Sequence, residues 1–407
     1  MMAPERKILY FKPSEFIYIF LCFSTINHIF FQMPLTCKNN FLGITLTNIL
    51  KQYSGRRQVM LMEDMKISDR IGDYREARFY SSAEGKVRCG LCPHNCQITE
   101  GQMGLCRSRV NIQGKLYALS YGNLCAISPD PIEKKPLYHF LPGSQAFSIA
   151  TAGCNFSCLN CQNHHISQFS PAEITAISLS AEEVVKRCLM AKCNTIAYTY
   201  TEPTVFYEYM YDVAMYARQN GIRNVMISNG YINPGPLKKL APLIDSANID
   251  LKVFDEETYR TLSGGALKPV LNTLRILKDY GVWIEITHLI VPSYSANLDM
   301  IKRMCEWLVN NEFSEFPLHF SRFFPNFQLQ HIEPTPLTTL KQAWEIAVQT
   351  GLHYVYLGNI TDETYSHTYC PDCKKLLIKR QGYRVTQMLI TDGKCPNCGT
   401  TINGVWN

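Results

Sequence analysis

Ala150-Thr151-Ala152-Gly153-Cys154-Asn155-Phe156-Ser157-Cys158-Leu159-Asn160-Cys161 follows an apolar run that begins at Ala146 and sets three cysteines in a C-x3-C-x2-C spacing on one short loop. Three thiolates from one loop can converge on a cubane. A [4Fe-4S] cluster that only carries electrons takes four cysteines, so three leave one iron open to another ligand. S-adenosylmethionine (SAM) can fill that position through its amino nitrogen and carboxylate oxygen. An electron passed into the sulfonium would then break a carbon–sulfur bond and release a 5′-deoxyadenosyl radical able to abstract a substrate hydrogen. The competing reading is a zinc site completed by His164 or His165. Zinc ligands usually come as paired two-residue knuckles, so the loop favours iron–sulfur, with the two histidines as loop or packing residues.

Outward from this loop the chain alternates short apolar runs with amphipathic segments, the pattern of a parallel α/β sheet. Strands are predicted over 146–151, 195–200, 224–228, 247–254, 283–291 and 318–323, with a further one over 354–358. Ser180-Ala181-Glu182-Glu183 opens one helix as a capping box, and Pro203 opens another. Sequential βα units close right-handed, so the expected core is a partial (β/α)6 TIM-type barrel with its chemistry at the C-terminal strand ends.

The chain's 17 cysteines are mostly grouped like metal ligands rather than scattered like disulfide partners, which favours thiolate–metal chemistry in a reducing, cytoplasmic setting. Cys370-Pro-Asp-Cys373 and Cys395-Pro-Asn-Cys398 read as a zinc-ribbon-like module, with hairpin strands over 376–380 and 383–390. Cys89, Cys92, Cys96 and Cys106 form an N-terminal Cys-rich module that suits either a four-thiolate zinc site or a second [4Fe-4S] cluster, the spacing leaning towards zinc or a structural role. The expected division is 1–65 as an atypical extension, 66–140 as the N-terminal four-cysteine module, 141–358 as the core and 359–407 as the ribbon-like module. Hydrophobic residues at 46% supply a sizeable core, while a net charge of +6 without a long basic run does not indicate a dedicated nucleic-acid surface. The apolar run FIYIFLCF at 16–23 is too short to span a bilayer. The extension is either translated upstream sequence, with initiation at Met60, Met62 or Met65, or a targeting segment.

CGLCPHNC at 89–96, DPIEKKPLYHFLPG at 130–143, ATAGCN at 150–155, CQN at 161–163, YTYTEPT at 198–204 and the C-terminal cysteine pairs together resemble the radical SAM superfamily. Within it the resemblance is to the pyruvate formate-lyase activating enzyme-like branch, and to the radical SAM member of the AmmeMemoRadiSam system. It covers about residues 75–406. It implies a [4Fe-4S] cluster on Cys154, Cys158 and Cys161, SAM as cofactor, an electron donor such as flavodoxin or ferredoxin, and AMMECR-like and Memo-like proteins as partners.

Superfamily members carry a Gly-Gly-Glu type segment at the end of the second strand, where this chain has Tyr200-Thr201-Glu202-Pro203. Glu202 is the candidate acceptor for the SAM ammonium and Thr201 a backbone contact, although an acid before Pro203 also suits a helix N-terminus. Ser228 and Asn229, before Gly230, are placed to reach a ribose or carboxylate, or to cap a turn. Asp250 and Lys252 flank an apolar residue and so can face the site together, by similarity to the activating enzymes as SAM contacts, or pair as a structural ion pair. Glu285, Thr287, His288, His319, Ser321 and Arg322 lie on the next two strands, and for most of Phe320, Phe323 and Phe324 core packing is a better explanation than adenine stacking. The expected function is hydrogen abstraction from an unidentified substrate, with a protein glycine, a nucleic acid or a metabolite as candidates. A non-catalytic docking metalloprotein is the reading from another class.

Overall fold

The computed structural model describes residues 74–83 and 85–407. The run at 16–23, the starts at Met60, Met62 and Met65, and Cys22 and Cys37 lie outside the described residues. One sheet organises the core. Its strands are β1 (Ala126–Pro131), β2 (Gln145–Ala150), β3 (Thr195–Tyr198), β4 (Arg223–Ser228), β5 (Ser246–Asp250), β6 (Trp283–Ile290), β7 (Leu318–Arg322) and β8 (Val355–Gly358). They run in the spatial order β8-β7-β6-β5-β4-β3-β2-β1. β2 to β8 are parallel, as the βα alternation predicts.

β1 is antiparallel, with Ala126 opposite Ala150 and Asp130 opposite Ala146. Sequence alone does not reveal it, because Ala-Ile-Ser-Pro-Asp-Pro carries two prolines and no alternation of polarity. Those prolines are tolerated at a sheet edge, where their missing N–H groups cost no ladder bond. β5 ends at Asp250, so 251–254 leave the sheet earlier than expected.

Between the strands lie α1 (Ala181–Met190), α2 (Tyr207–Gln219), α3 (Pro234–Leu240), α4 (Glu256–Ser263), α5 (Leu267–Asp279), α6 (Leu298–Asn310) and α7 (Leu337–Thr350). Capping starts several of them: the Glu183 N–H donates to Ser180 Oγ, that of Thr258 to Asp255, and that of Met300 to Asn297. α1 buries Ala181, Val184, Val185 and Cys188, one stripe at helical spacing, against the sheet. The helix expected from Pro203 begins as a 3-10 turn over Pro203–Phe206 before α2.

The period of two along each strand separates the sheet's faces. Ile196 and Tyr198 of β3 join the helix-side core, whereas Ala197 packs with Ile132, Leu137, Phe140 and Leu141 on the other face. Those four belong to a strap between β1 and β2. The strap is fastened by Glu285, a fully buried carboxylate on β6: the N–H groups of Tyr138 and His139 donate to it at 2.9 and 2.7 Å, and His319 Nε2 lies 2.6 Å away. Burial alone would raise the Glu285 pKa, but these partners, led by His319, outweigh it and hold the group ionised. Burial pushes His139 down to about 4.

The strap also anchors the C-terminal module. Arg380, wholly buried, donates to Tyr138 O at 2.7 Å and lies over the Tyr138 ring at 4.2 Å. The module pairs Thr368–Tyr369, Leu376–Gln381 and Arg384–Met388 in an antiparallel sheet. At the other end, two three-stranded sheets carry the N-terminal cysteines, and Arg109 there makes a buried 2.6 Å ion pair with Glu208 of α2. Among the described residues no helix is long and apolar enough to cross a membrane.

Glu285→Ala leaves two buried backbone N–H groups and His319 without their acceptor. The expected loss is about 3–5 kcal/mol of unfolding free energy, read from the urea midpoint. A change within about 0.5 kcal/mol would contradict the strap's role.

Candidate active site

The cysteine loop follows β2 and is gripped by backbone from both sides. The Ser157 N–H donates to Ser263 O at 3.0 Å and that of Leu159 to Leu262 O at 2.9 Å, tying the loop to the end of α4. Phe156 packs on Tyr231 and Tyr259 and covers Gly265 so closely that a Cβ there would meet the ring at 2.3 Å. Gly153, at φ +99°, donates its N–H to Ile166 O at 3.0 Å. The short helix His164–Ser167 follows, with His164 stacked on Phe327 at 4.4 Å and Ser167 Oγ 3.2 Å from Cys161 Sγ. Neither histidine joins the three cysteines as a close ligand group among the described residues.

Cys154, Cys158 and Cys161 line one cavity of about 290 Å3, together with Thr201, Glu202, Asn229, Asp250 and Lys252. Strand ends β2 to β5 therefore deliver eight of the nine expected cluster and SAM residues to a common space. Ser228, the ninth, does not line it and instead donates to Glu202 Oε1 at 2.7 Å. The three thiols are not drawn to single-ion spacing: among the described residues only the C-terminal four have all their ligand atoms within 4.8 Å of one another. Three separated soft donors around an open cavity fit a cubane with one unprotected iron. Burial pushes the Cys154 thiol well above its usual pKa, and the Glu202 carboxylate adds to the shift.

Glu202 is almost fully engaged. Its Oε1 accepts from Thr204 N, Thr204 Oγ1 and Ser228 Oγ, and its Oε2 from Asn229 N at 2.8 Å. It thus caps the 3-10 turn, the helix-terminus role considered for it, while Oε2 keeps room for one further donor. Burial raises its pKa against those hydrogen bonds. Lys252 Nζ donates to Asp250 Oδ2 at 2.7 Å. Burial would lower the lysine's pKa, but Asp250, followed by Cys158, outweighs it, so a cation stands at the cavity wall.

Four contributors escape sequence reading. Asn155 accepts from Asn229 Nδ2 at 2.8 Å and donates to Tyr231 O, Asn163 donates to Tyr200 O at 2.6 Å, Tyr200 sits at φ +64°, and Gly265 accommodates Phe156. Asn155 directly after Cys154 and Asn163 two residues after Cys161 are the available signal. Conversely, His288 faces the helix-side core, hydrogen-bonded to Leu251 O at 2.7 Å, and Arg322 donates to Thr335 O, so neither lines the cavity. Phe320 and Phe323 are buried core.

At the far end of the chain, Cys370, Cys373, Cys395 and Cys398 form a compact four-sulfur group, with contacts of 3.5 and 3.7 Å across it. The Thr400 hydroxyl beside Cys398 brings that thiol down to about 6.

The model of the radical SAM superfamily matches residues 148–308. An uncharacterized protein of Methanocaldococcus jannaschii is 46% identical over 332 residues, covering 81% of this chain and 99% of that one. A putative glycyl-radical enzyme activating enzyme of the same organism is 26% identical over 175 residues, 41% of this chain and 64% of its own. The pyruvate formate-lyase-activating enzyme of Clostridium pasteurianum is 22% identical over 164 residues, 39% and 67% of the two chains. With the superfamily model running from β2 into α6 and one relative matched over nearly its whole length, this chain belongs to the radical SAM superfamily and is an enzyme of that kind.

Proposed function

We propose that Cys154, Cys158 and Cys161 hold the [4Fe-4S] cluster of a SAM-cleaving enzyme of the AmmeMemoRadiSam type, whose target is a partner protein. Bound together, cluster and SAM supply a 5′-deoxyadenosyl radical able to abstract hydrogen. The observation that carries the reading is the single cavity shared by the three thiols and the Asp250–Lys252 pair. There Lys252 attracts the SAM carboxylate, Glu202 Oε2 and the Thr201 backbone receive its ammonium, and Asn229 bounds the ribose side. Ser228 positions Glu202. The parallel sheet acts as a partial barrel that walls this space from water, and the strap fills its lower part.

Similarity to activating enzymes supports a protein glycine as the hydrogen donor, reached with AMMECR-like or Memo-like partners and an electron donor of the flavodoxin or ferredoxin class, in the cytoplasm. We also read the compact C-terminal sulfurs as a structural zinc ribbon, since a zinc–sulfur bond of about 2.3 Å draws four thiolates together as they are here. The working division is the N-terminal four-cysteine module, the radical SAM core and this ribbon, with the segment 1–65 as an extension.

Three outcomes are expected. Anaerobically reconstituted protein given SAM and dithionite forms 5′-deoxyadenosine, and Cys158→Ala abolishes it; unchanged formation in the variant would remove these thiols from the chemistry. Lys252→Met, with iron content unchanged, weakens SAM binding about ten- to a hundredfold, as losing a charged hydrogen bond of about 1.5–3 kcal/mol requires; equilibrium dialysis with labelled SAM measures it, and unaltered affinity would assign the lysine a structural role. Cys398→Ser releases about one zinc per chain while leaving the iron in place, as elemental analysis would show; zinc retained in the variant would contradict the ribbon.

A further inference from the structure

We propose that Cys89, Cys92, Cys96 and Cys106 bind a second [4Fe-4S] cluster rather than the zinc ion their spacing favours. Cys89 ends the strand Lys86–Cys89, and its N–H donates to Cys96 O at 3.0 Å, closing the loop that carries Cys92. Cys106 arrives from the next loop, where a Cβ on Gly104 would lie 3.8 Å from both Cys96 Sγ and Cys106 Sγ. All four cysteines line one small cavity.

Sulfur spacing separates the two guests. A zinc–sulfur bond of about 2.3 Å sets tetrahedral thiolates about 3.8 Å apart, and the C-terminal four show that contraction, with contacts of 3.5 and 3.7 Å. The N-terminal four do not: among the described residues they form no group whose sulfurs all lie within 4.8 Å of one another. They stand apart around one shared cavity instead, as thiolates do when each holds a different corner of a cubane.

The wall of this cavity is prepared for an anionic guest. Arg109 lines it at 1% exposure, and although its Nη2 is held by Glu208 at 2.6 Å, its Nε has no hydrogen-bond partner. A buried cation with a spare N–H beside four thiolates can offset their charge and donate to a sulfur.

Location gives the second cluster a purpose. Asn155 lines this cavity, whereas the adjacent Cys154 lines the SAM cavity. Ser108 Oγ donates to Ala152 O at 3.1 Å, so the chain just beyond Cys106 rests on the start of the radical SAM loop. Consecutive residues of one loop therefore line the two sites. Four thiolates leave no iron open, so a cluster here carries electrons and binds no substrate.

The test uses the full chain produced and purified without oxygen. Elemental analysis should find about eight irons and about one zinc per chain, with Mössbauer spectra showing only [4Fe-4S] sites. Cys92→Ser should lose about four irons and keep the zinc. In the dithionite-reduced wild type the two clusters should give a broadened, spin-coupled EPR signal that simplifies to an isolated one in Cys92→Ser. About four irons with about two zincs per chain, about six irons, or an unchanged iron content in Cys92→Ser would each overturn the proposal. Should Cys92→Ser fail to fold, the wild-type metal count and Mössbauer spectrum decide alone. Cys158→Ala disturbs only the SAM-binding cluster, so a failure of that site is read separately from a failure of this one.

Discussion

Gly153 carries no side chain because there is no room for one. A Cβ at this residue would lie 2.1 Å from Ser108 Oγ and 2.7 Å from Cys106 O. That close approach presses the N-terminal module onto the residue before Cys154, and φ of +99° adds a conformation that side chains rarely adopt. The loop that carries Cys106 and the loop that carries Cys154 are therefore pressed into direct contact. Asn155 extends it: its carbonyl lies 2.7 Å from His94 Nε2 on the module, while its side chain is tied to Asn229 and Tyr231 beyond β4.

A second joint lies on the strap. Glu285 holds the strap by backbone N–H groups, and Arg380 holds the same strap from the C-terminal module through Tyr138. The motif DPIEKKPLYHFLPG at 130–143 is thus explained by assembly more than by chemistry. Asp130 begins it, and Lys134, Lys135 and Tyr200 all donate to its carboxylate. Burial would raise the pKa of Asp130, but those three donors hold it below the ordinary carboxylate range. Because Tyr200 also lines the cavity of the three cysteines, Asp130, on β1 just ahead of the strap, fixes part of that cavity's rim.

What can be read from sequence is local. The three-cysteine loop, the parallel strands and the paired C-terminal knuckles each depend on residues close together in the chain, and periodicity or spacing exposes them. Long-range dependence hides the rest. β1 is a strand only because β2 lies beside it, and its prolines argue against it in isolation. Glu202 is found by position, but its engagement by Ser228 and Asn229 comes from another strand end. Gly265 matters only because Phe156, far earlier in the chain, needs its space. For the N-terminal cysteines the spacing is shared by zinc and iron sites, and the distinction lies in tertiary sulfur separations that no spacing encodes.

On the proposed function, one iron held by Cys154, Cys158 and Cys161 is open to SAM within the cavity those thiols line. Electron–nuclear double resonance on reduced protein with SAM labelled with 15N at its amino group measures this directly. A 15N coupling of bonded magnitude is expected in the wild type and none in Cys158→Ala. A wild-type cluster that reduces normally but shows no such coupling would contradict it.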